Sequence, residues 1–197
     1  MGGIGAGKSV VAGILESVGA AVIESDRLVH EQYRDPEVIA TLREWWGDRV
    51  LTSEGGVNRR AVADTVFQES GERDRLERFL YPRIDRKREE LTAIYDGDPA
   101  IRAVVIDAPK LYEAGVDKHC DAVVFVDAPY PVRVDRVARS RGWTEAELIR
   151  RESSQEPLDK KKANADYVIE NNSSIDRLKT SVEKVLAQVL AAFERRS

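Results

Sequence analysis

Residues 2 to 9 leave this chain few folds to choose from: Gly2-Gly3-Ile4-Gly5-Ala6-Gly7-Lys8-Ser9 fits G-x-x-x-x-G-K-[ST]. Glycines at that spacing let successive backbone N–H groups turn inward around a phosphate, the lysine reaches the β- and γ-phosphates, and the hydroxyl residue holds Mg²⁺. Val10, Val11, Ile14 and Leu15 follow at once and read as a helix whose N-terminal dipole points at the same anion. A glycine-rich tail would carry neither the Lys-Ser pair nor the helix behind it. A phosphate loop normally leaves a buried strand, yet only Met1 precedes Gly2. A central strand buries about four aliphatic side chains at roughly 1.5–3 kcal/mol each, comparable with a domain's net stability of about 5–15 kcal/mol. The expectation is therefore a strand upstream of Met1 in the natural protein, or an altered sheet.

Behind the first helix the pattern alternates. Gly19 ends the helical period, and Ala20-Ala21-Val22-Ile23 reads as a short buried strand running into Glu24-Ser25-Asp26. From Leu28 to about Phe79 the chain reads as helical. Asp35-Pro36 opens one helix as N-cap and first-turn proline, and Ser53-Glu54-Gly55-Gly56 is a turn before the next. A long charged helix from about Arg73 to Tyr95 is expected to break or kink at Tyr81-Pro82. Apolar runs return at 103–107 and 121–127, each ending in an acid, and suit a parallel sheet covered on both faces. A helix from Pro131 stops at Gly142, and Thr144-Glu145-Ala146-Glu147 is a capping box. Tyr167-Val168-Ile169 is a last strand, and Ser173 or Ser174 caps an amphipathic helix carrying Ile175, Leu178, Val182, Val185, Leu186 and Val189. β–α alternation at both ends with helices between predicts a three-layer α/β fold.

The 197 residues are enough for one such domain, with 34% charged and 42% hydrophobic residues, as in a globular rather than a disordered chain. A net charge of −4 gives nucleic acid no bulk attraction, and no apolar span is long enough for a membrane. Cys120 stands alone, so no internal disulfide forms, and a cytoplasmic location is expected. At the start of a strand its thiol reads as inert and buried.

A phosphate loop by itself says nucleoside triphosphate. Asp26, at the C-terminal edge of a strand, falls on the rim where open parallel sheets bind ligands. There a carboxylate orients or deprotonates an acceptor hydroxyl or helps Ser9 hold Mg²⁺, and capping the helix beginning at Arg27 is compatible with either role. Asp107 ends a core strand in the same manner. Arg133, Arg136, Arg139 and Arg141, then Arg150, Arg151 and Lys160 to Lys162, form a basic cluster. As a closing lid it would neutralise the charge of a transferring phosphoryl group and exclude water; as a solvated face it would do neither.

In this order the motifs resemble the dephospho-coenzyme A kinase family over essentially the whole chain. The loop resembles that family's GGIGSGKS, and Val22-Ile23-Glu24-Ser25-Asp26 is similar to its V-I-D-A-D stretch. Gly56-Val57-Asn58-Arg59-Arg60-Ala61-Val62, Tyr81-Pro82-Arg83-Ile84 and Ala108-Pro109-Lys110-Leu111-Tyr112-Glu113 resemble three further segments, and Gln155, Lys161, Ala165-Asp166, Ile169 and Asn171 keep the spacing of a fourth. The sequence departs from the family at Glu24, Tyr81 and Lys110.

The resemblance implies a P-loop kinase three-layer fold with a parallel sheet, one domain over 1–197. Its core would be 1–27, 100–132 and 166–197, with a helical substrate region at 28–99 and a lid at 133–165. It implies transfer of the γ-phosphate of ATP, with Mg²⁺, to the ribose 3′-hydroxyl of dephospho-coenzyme A by a monomer or weak homo-oligomer. Lys8, Asp26, Arg136 and Arg139 would be catalytic, with the choice between the two arginines left open. Gly3, Ile4, Gly5, Ala6, Gly7, Lys8, Ser9 and Asn171 would hold the nucleotide, and Ser9 and Asp26 the metal. Arg59, Tyr81, Arg83, Pro109, Glu113 and Lys161 would contact the acceptor. A kinase for another small hydroxylated metabolite, or a nucleotide-binding regulator without transferase activity, would share the loop.

Overall fold

A computed structural model describes residues 1–153 and 155–196. It falls into two compact units, one formed by Met1–Ile23 with Tyr95–Ser197, the other by Glu24–Ile94.

The first unit holds the phosphate loop, α1 (Lys8–Ser17) and the strands. β1 (Ala20–Glu24) pairs with β2 (Ala103–Asp107), and β3 (Val124–Asp127) pairs with β4 (Tyr167–Glu170). β3 and β4 are parallel, with Val124 opposite Tyr167 and Asp127 opposite Glu170. Met1 and Gly2 run beside β3 in the manner of a short parallel strand. The Met1 ammonium donates to the Val124 carbonyl and the Val126 N–H to the Met1 carbonyl, both at 2.8 Å, and Gly2 bridges to Val126. These contacts tie Met1 and Gly2, and through them the start of the loop, to β3.

β3 begins three residues later than the apolar run at Asp121. Asp166 is the reason: its carboxylate accepts the Val123 N–H at 2.7 Å, and the Asp166 and Tyr167 N–H groups donate to the Val123 carbonyl. Behind the sheet, α9 (Ile175–Glu194) buries Leu178, Val182 and Val185 with Val11 of α1, Val126 and Ile169. Ala6 of the loop is in the same cluster and fully buried, so the apolar core itself fixes the loop.

Three helices of this unit carry the basic cluster. α6 (Tyr130–Arg141) ends on Gly142 in the left-handed conformation. α7 (Glu145–Glu152) starts on Thr144, whose Oγ1 accepts from the Glu147 N–H, and α8 (Leu158–Ala163) follows.

The second unit is helical: α2 (Ser25–Gln32), α3 (Pro36–Trp46), α4 (Arg59–Gln68) and the greater part of α5 (Glu72–Asp96). Asp35 Oδ1 caps α3 from the Glu37 N–H, and Asn58 caps α4 from the Ala61 N–H. Pro82 does not interrupt α5. Leu76, Leu80 and Ile84 are spaced by four and all buried, so burial on both sides of the proline carries the helix across the missing N–H bond. Glu24, not Asp26, is the N-cap of α2, and Asp26 lies in its first turn. Among the described residues no helix is long and apolar enough to cross a membrane.

Candidate active site

The loop closes on itself before any ligand is considered. Gly5 and Gly7 take positive φ of 78° and 89°, the Ala6 N–H donates to the Gly3 carbonyl, and the Val10 and Val11 N–H groups donate to the Gly7 carbonyl. A Cβ at Gly7 would stand 2.2 Å from Asn171 Nδ2, so glycine is required for space as well as for φ. Lys8 Nζ donates to the Gly2 and Gly3 carbonyls at 3.0 and 3.1 Å, folding back over the loop. Burial lowers its pKa, the Asp107 carboxylate partly offsets this, and Arg141 and Lys161 add to the depression. An ammonium held in this state is electrostatically short of anions and suited to receive a phosphate.

Asn171 and Arg136 brace the loop from behind. Asn171, 5% exposed, donates Nδ2–H to the Ala6 carbonyl at 2.8 Å. Arg136 donates to the Gly5 and Ala6 carbonyls at 3.5 and 3.3 Å, and to the Asn171 carbonyl and Oδ1 at 3.1 and 3.2 Å. Arg139 turns to solvent, 80% exposed, and pairs with Asp135 on its own helix. The choice left open between the two arginines therefore has a geometric difference behind it: Arg136 is on the loop and Arg139 is not.

Pro109 and Glu113 come together around the buried ammonium of Lys161. Lys161 is 1% exposed, and its Nζ lies 3.0 Å from Glu113 Oε1 and 3.2 Å from the Pro109 carbonyl. Glu113 Oε1 also accepts the Glu156 N–H at 3.0 Å. Burial pushes the Glu113 carboxyl up, but the Glu156 N–H and the Lys161 ammonium outweigh it and hold the group below its ordinary 4.5. Lys161, expected to contact the acceptor, makes an ion pair that joins the segment after β2 to α8.

In the helical unit Asp26 is exposed on α2. Arg59 lines a cleft of about 470 Å³ with His30, Tyr33, Arg34, Glu54 and Val57. Burial raises the Tyr33 phenol, with Arg59 opposing. Tyr81 is half-buried within α5. Arg83 is committed locally, paired with Glu37 and stacked over Phe79 at 4.8 Å.

Two further groups stand on the loop: Arg133, read from sequence only as a member of the basic cluster, and Glu152, not singled out at all. Arg133, 6% exposed, donates to the Ile4 carbonyl and pairs with Glu152, whose Oε1 also accepts the Ile4 N–H at 3.0 Å. Glu152 is the acid that closes the Arg150-Arg151 run, the one available signal of a contact made elsewhere. As to Mg²⁺, no cluster of three or more His, Cys, Asp or Glu exists among the described residues. Mg²⁺ needs none, because it keeps water and phosphate oxygens in most of its positions. Ser9, which is exposed, and the half-buried Asp107, whose charge acts on Lys8, are a donor set of the right chemistry.

A parallel αβ core, a glycine loop carrying a lysine ahead of α1, and cationic helices braced on that loop define a P-loop kinase. The family model for dephospho-CoA kinase matches residues 1–177. A dephospho-CoA kinase from Syntrophotalea carbinolica is 36% identical over 98% of this chain and 92% of its own. A crystal structure of a Thermus thermophilus protein superposes with a TM-score of 0.81 at 32% identity, over 95% of this chain and 94% of that one. A Campylobacter jejuni dephospho-CoA kinase, 22% identical over 96% and 94%, shares the fold with a TM-score of 0.63. The chain belongs to the dephospho-CoA kinase family, and with it to the ATP-dependent kinases.

Proposed function

We propose that this chain transfers the γ-phosphoryl group of ATP to the ribose 3′-hydroxyl of dephospho-coenzyme A, giving coenzyme A and ADP, the last step of coenzyme A synthesis. The observation that carries the reading is the loop of Gly3 to Ser9, with Lys8 folded over it and Asn171 and Arg136 braced behind it, in a chain that matches the family along nearly its whole length.

The loop N–H groups of Gly3 to Ser9 and the Lys8 ammonium hold the β- and γ-phosphates. Binding anion there exchanges the carbonyl contacts of Lys8 for phosphate oxygens. Asp26 orients the acceptor hydroxyl and takes its proton as the new oxygen–phosphorus bond forms; the bond from the γ-phosphorus to the β,γ-bridging oxygen breaks, and the electron pair leaves on ADP. Arg136 keeps the loop in its phosphate-accepting shape, and Arg139, on the next turn of α6, is the more exposed lid cation. Ser9, with Asp26 and Asp107 as rim carboxylates, would hold Mg²⁺, which would supply neutralisation of charge on the transferring group. Arg59, Tyr81 and Arg83 of the helical unit serve the acceptor, while Pro109, Glu113 and Lys161 support the site through their own ion pair.

Measured ADP release with dephospho-coenzyme A, with nucleoside monophosphates and with shikimate tests the assignment. Turnover is expected with dephospho-coenzyme A alone. A faster rate on either alternative class, or ATP binding without turnover on any of them, overturns it.

A further inference from the structure

One carboxylate of the protein is hydrogen-bonded to the phosphate loop itself. Glu152 Oε1 accepts the Ile4 N–H at 3.0 Å and the Arg133 guanidinium, and the Glu152 side chain is 18% exposed. Its charge also bears on the Lys8 ammonium, in the sense of favouring the protonated form. Local forces do not put the carboxylate there. Glu152 is the last residue of α7, where the helix dipole disfavours an anion, and the arginines beside it, Arg150 and Arg151, are both turned back to Glu147. The contacts that hold it are with Ile4 of the loop and Arg133 of α6.

Arg133 is built into the loop independently of Glu152. It donates to the Ile4 carbonyl at 3.3 Å, stacks over Tyr130 at 5.3 Å, and lies where a Cβ at Gly3 would approach its Nη1 to 2.8 Å. If Glu152 leaves, Arg133 stays, with a donor free beside an unfilled loop amide. A carboxylate and a phosphoryl group compete for such a pair of donors, because both are anions that accept from N–H groups and from the arginine fork.

We propose that Glu152 is a built-in competitor for nucleotide phosphate: it latches α7 onto the phosphate loop through Ile4 and Arg133, and is displaced when ATP delivers its own anion. Nucleotide binding and release of α7 are then one event. The latch sets the apparent ATP affinity below the loop's intrinsic one by the fraction of molecules in which Glu152 is off. The inference rests on the reading that the loop takes ATP phosphates.

The test is calorimetric titration of the wild-type chain and Glu152→Gln with ATP, and with adenosine, which has no phosphate. The amide keeps the size and a hydrogen-bond acceptor but removes the competing charge. ATP is expected to bind the variant about three- to thirtyfold more tightly, with adenosine unchanged. Equal or weaker ATP binding overturns the latch, as does an equal gain for adenosine. If the amide variant does not fold, Glu152→Asp, which keeps the charge and draws it back by one methylene, is expected to tighten ATP in the same direction, and an unchanged or weaker affinity overturns the inference. Failure of the underlying reading looks different: neither protein binds ATP, and the latch falls with it.

Discussion

Replacing Glu113 by Gln removes the partly exposed charge of a pair and leaves the buried one. Lys161 Nζ, on a residue 1% exposed, would keep only the Pro109 carbonyl at 3.2 Å and a neutral amide oxygen in place of a carboxylate at 3.0 Å. Stranding one partner of a buried ion pair costs about 3–5 kcal/mol. Glu113 is 23% exposed, so water screens part of the loss and the lower end, about 3 kcal/mol, applies. For a domain of this size each kcal/mol moves the thermal midpoint by about 2–4 °C, so Glu113→Gln is expected to lower it by about 6–12 °C. Thermal unfolding followed by circular dichroism reads this directly, and the double variant Glu113→Gln with Lys161→Met is expected to recover most of the loss, since no buried charge remains. A drop below about 2 °C, or a double variant no more stable than the single one, would refute the reasoning. The same pair has a pH signature. The folded Glu113 carboxyl sits below its ordinary 4.5, so as pH falls below 4.5 the unfolded chain takes up the proton first, and the contribution fades until the folded group also protonates.

Other substitutions separate the roles around the loop. Gly7→Ala brings a methyl to 2.2 Å from Asn171 Nδ2 at a φ of 89°; backbone strain of about 1–2 kcal/mol and loss of the Asn171 bond together predict at least tenfold weaker ATP binding by calorimetry. Arg136→Ala removes charged hydrogen bonds to the loop and to Asn171, and is expected to weaken ATP binding or turnover by about 10- to 100-fold. Arg139→Ala, which removes only a solvent-exposed pair with Asp135, is expected to stay within about threefold in binding. Asp26→Asn is expected to lower turnover by about 10²- to 10⁴-fold with ATP affinity nearly unchanged; turnover near wild type in folded protein removes Asp26 as the base.

What could be read from sequence was local. The loop, the Asp35 and Thr144 caps, the stop at Gly142 and the apolar stripe of α9 each depend on residues within one turn of each other, and each stands where its pattern put it. The signature Ala165-Asp166 was legible as a motif, but its work, setting the start of β3 by accepting the Val123 N–H, depends on a residue 43 positions away. The burial of Lys161 was hidden for the same reason. A Lys-Lys-Lys run reads as a solvated face, and only Glu113, far earlier in the chain, makes burial of the middle lysine tolerable. Pro82 shows propensity overruled by burial at Leu76, Leu80 and Ile84. Glu152 was invisible because its partner amide belongs to Ile4, and backbone donors leave no mark in a sequence.

The most direct test of the central claim is the identity of the product. Incubating the chain with ATP, Mg²⁺ and dephospho-coenzyme A, then following the mixture by phosphorus NMR and mass spectrometry, is expected to show one new phosphomonoester on the ribose 3′-oxygen for each ADP formed. ADP without that phosphomonoester, a phosphate on any other oxygen, or no ADP at all would contradict it.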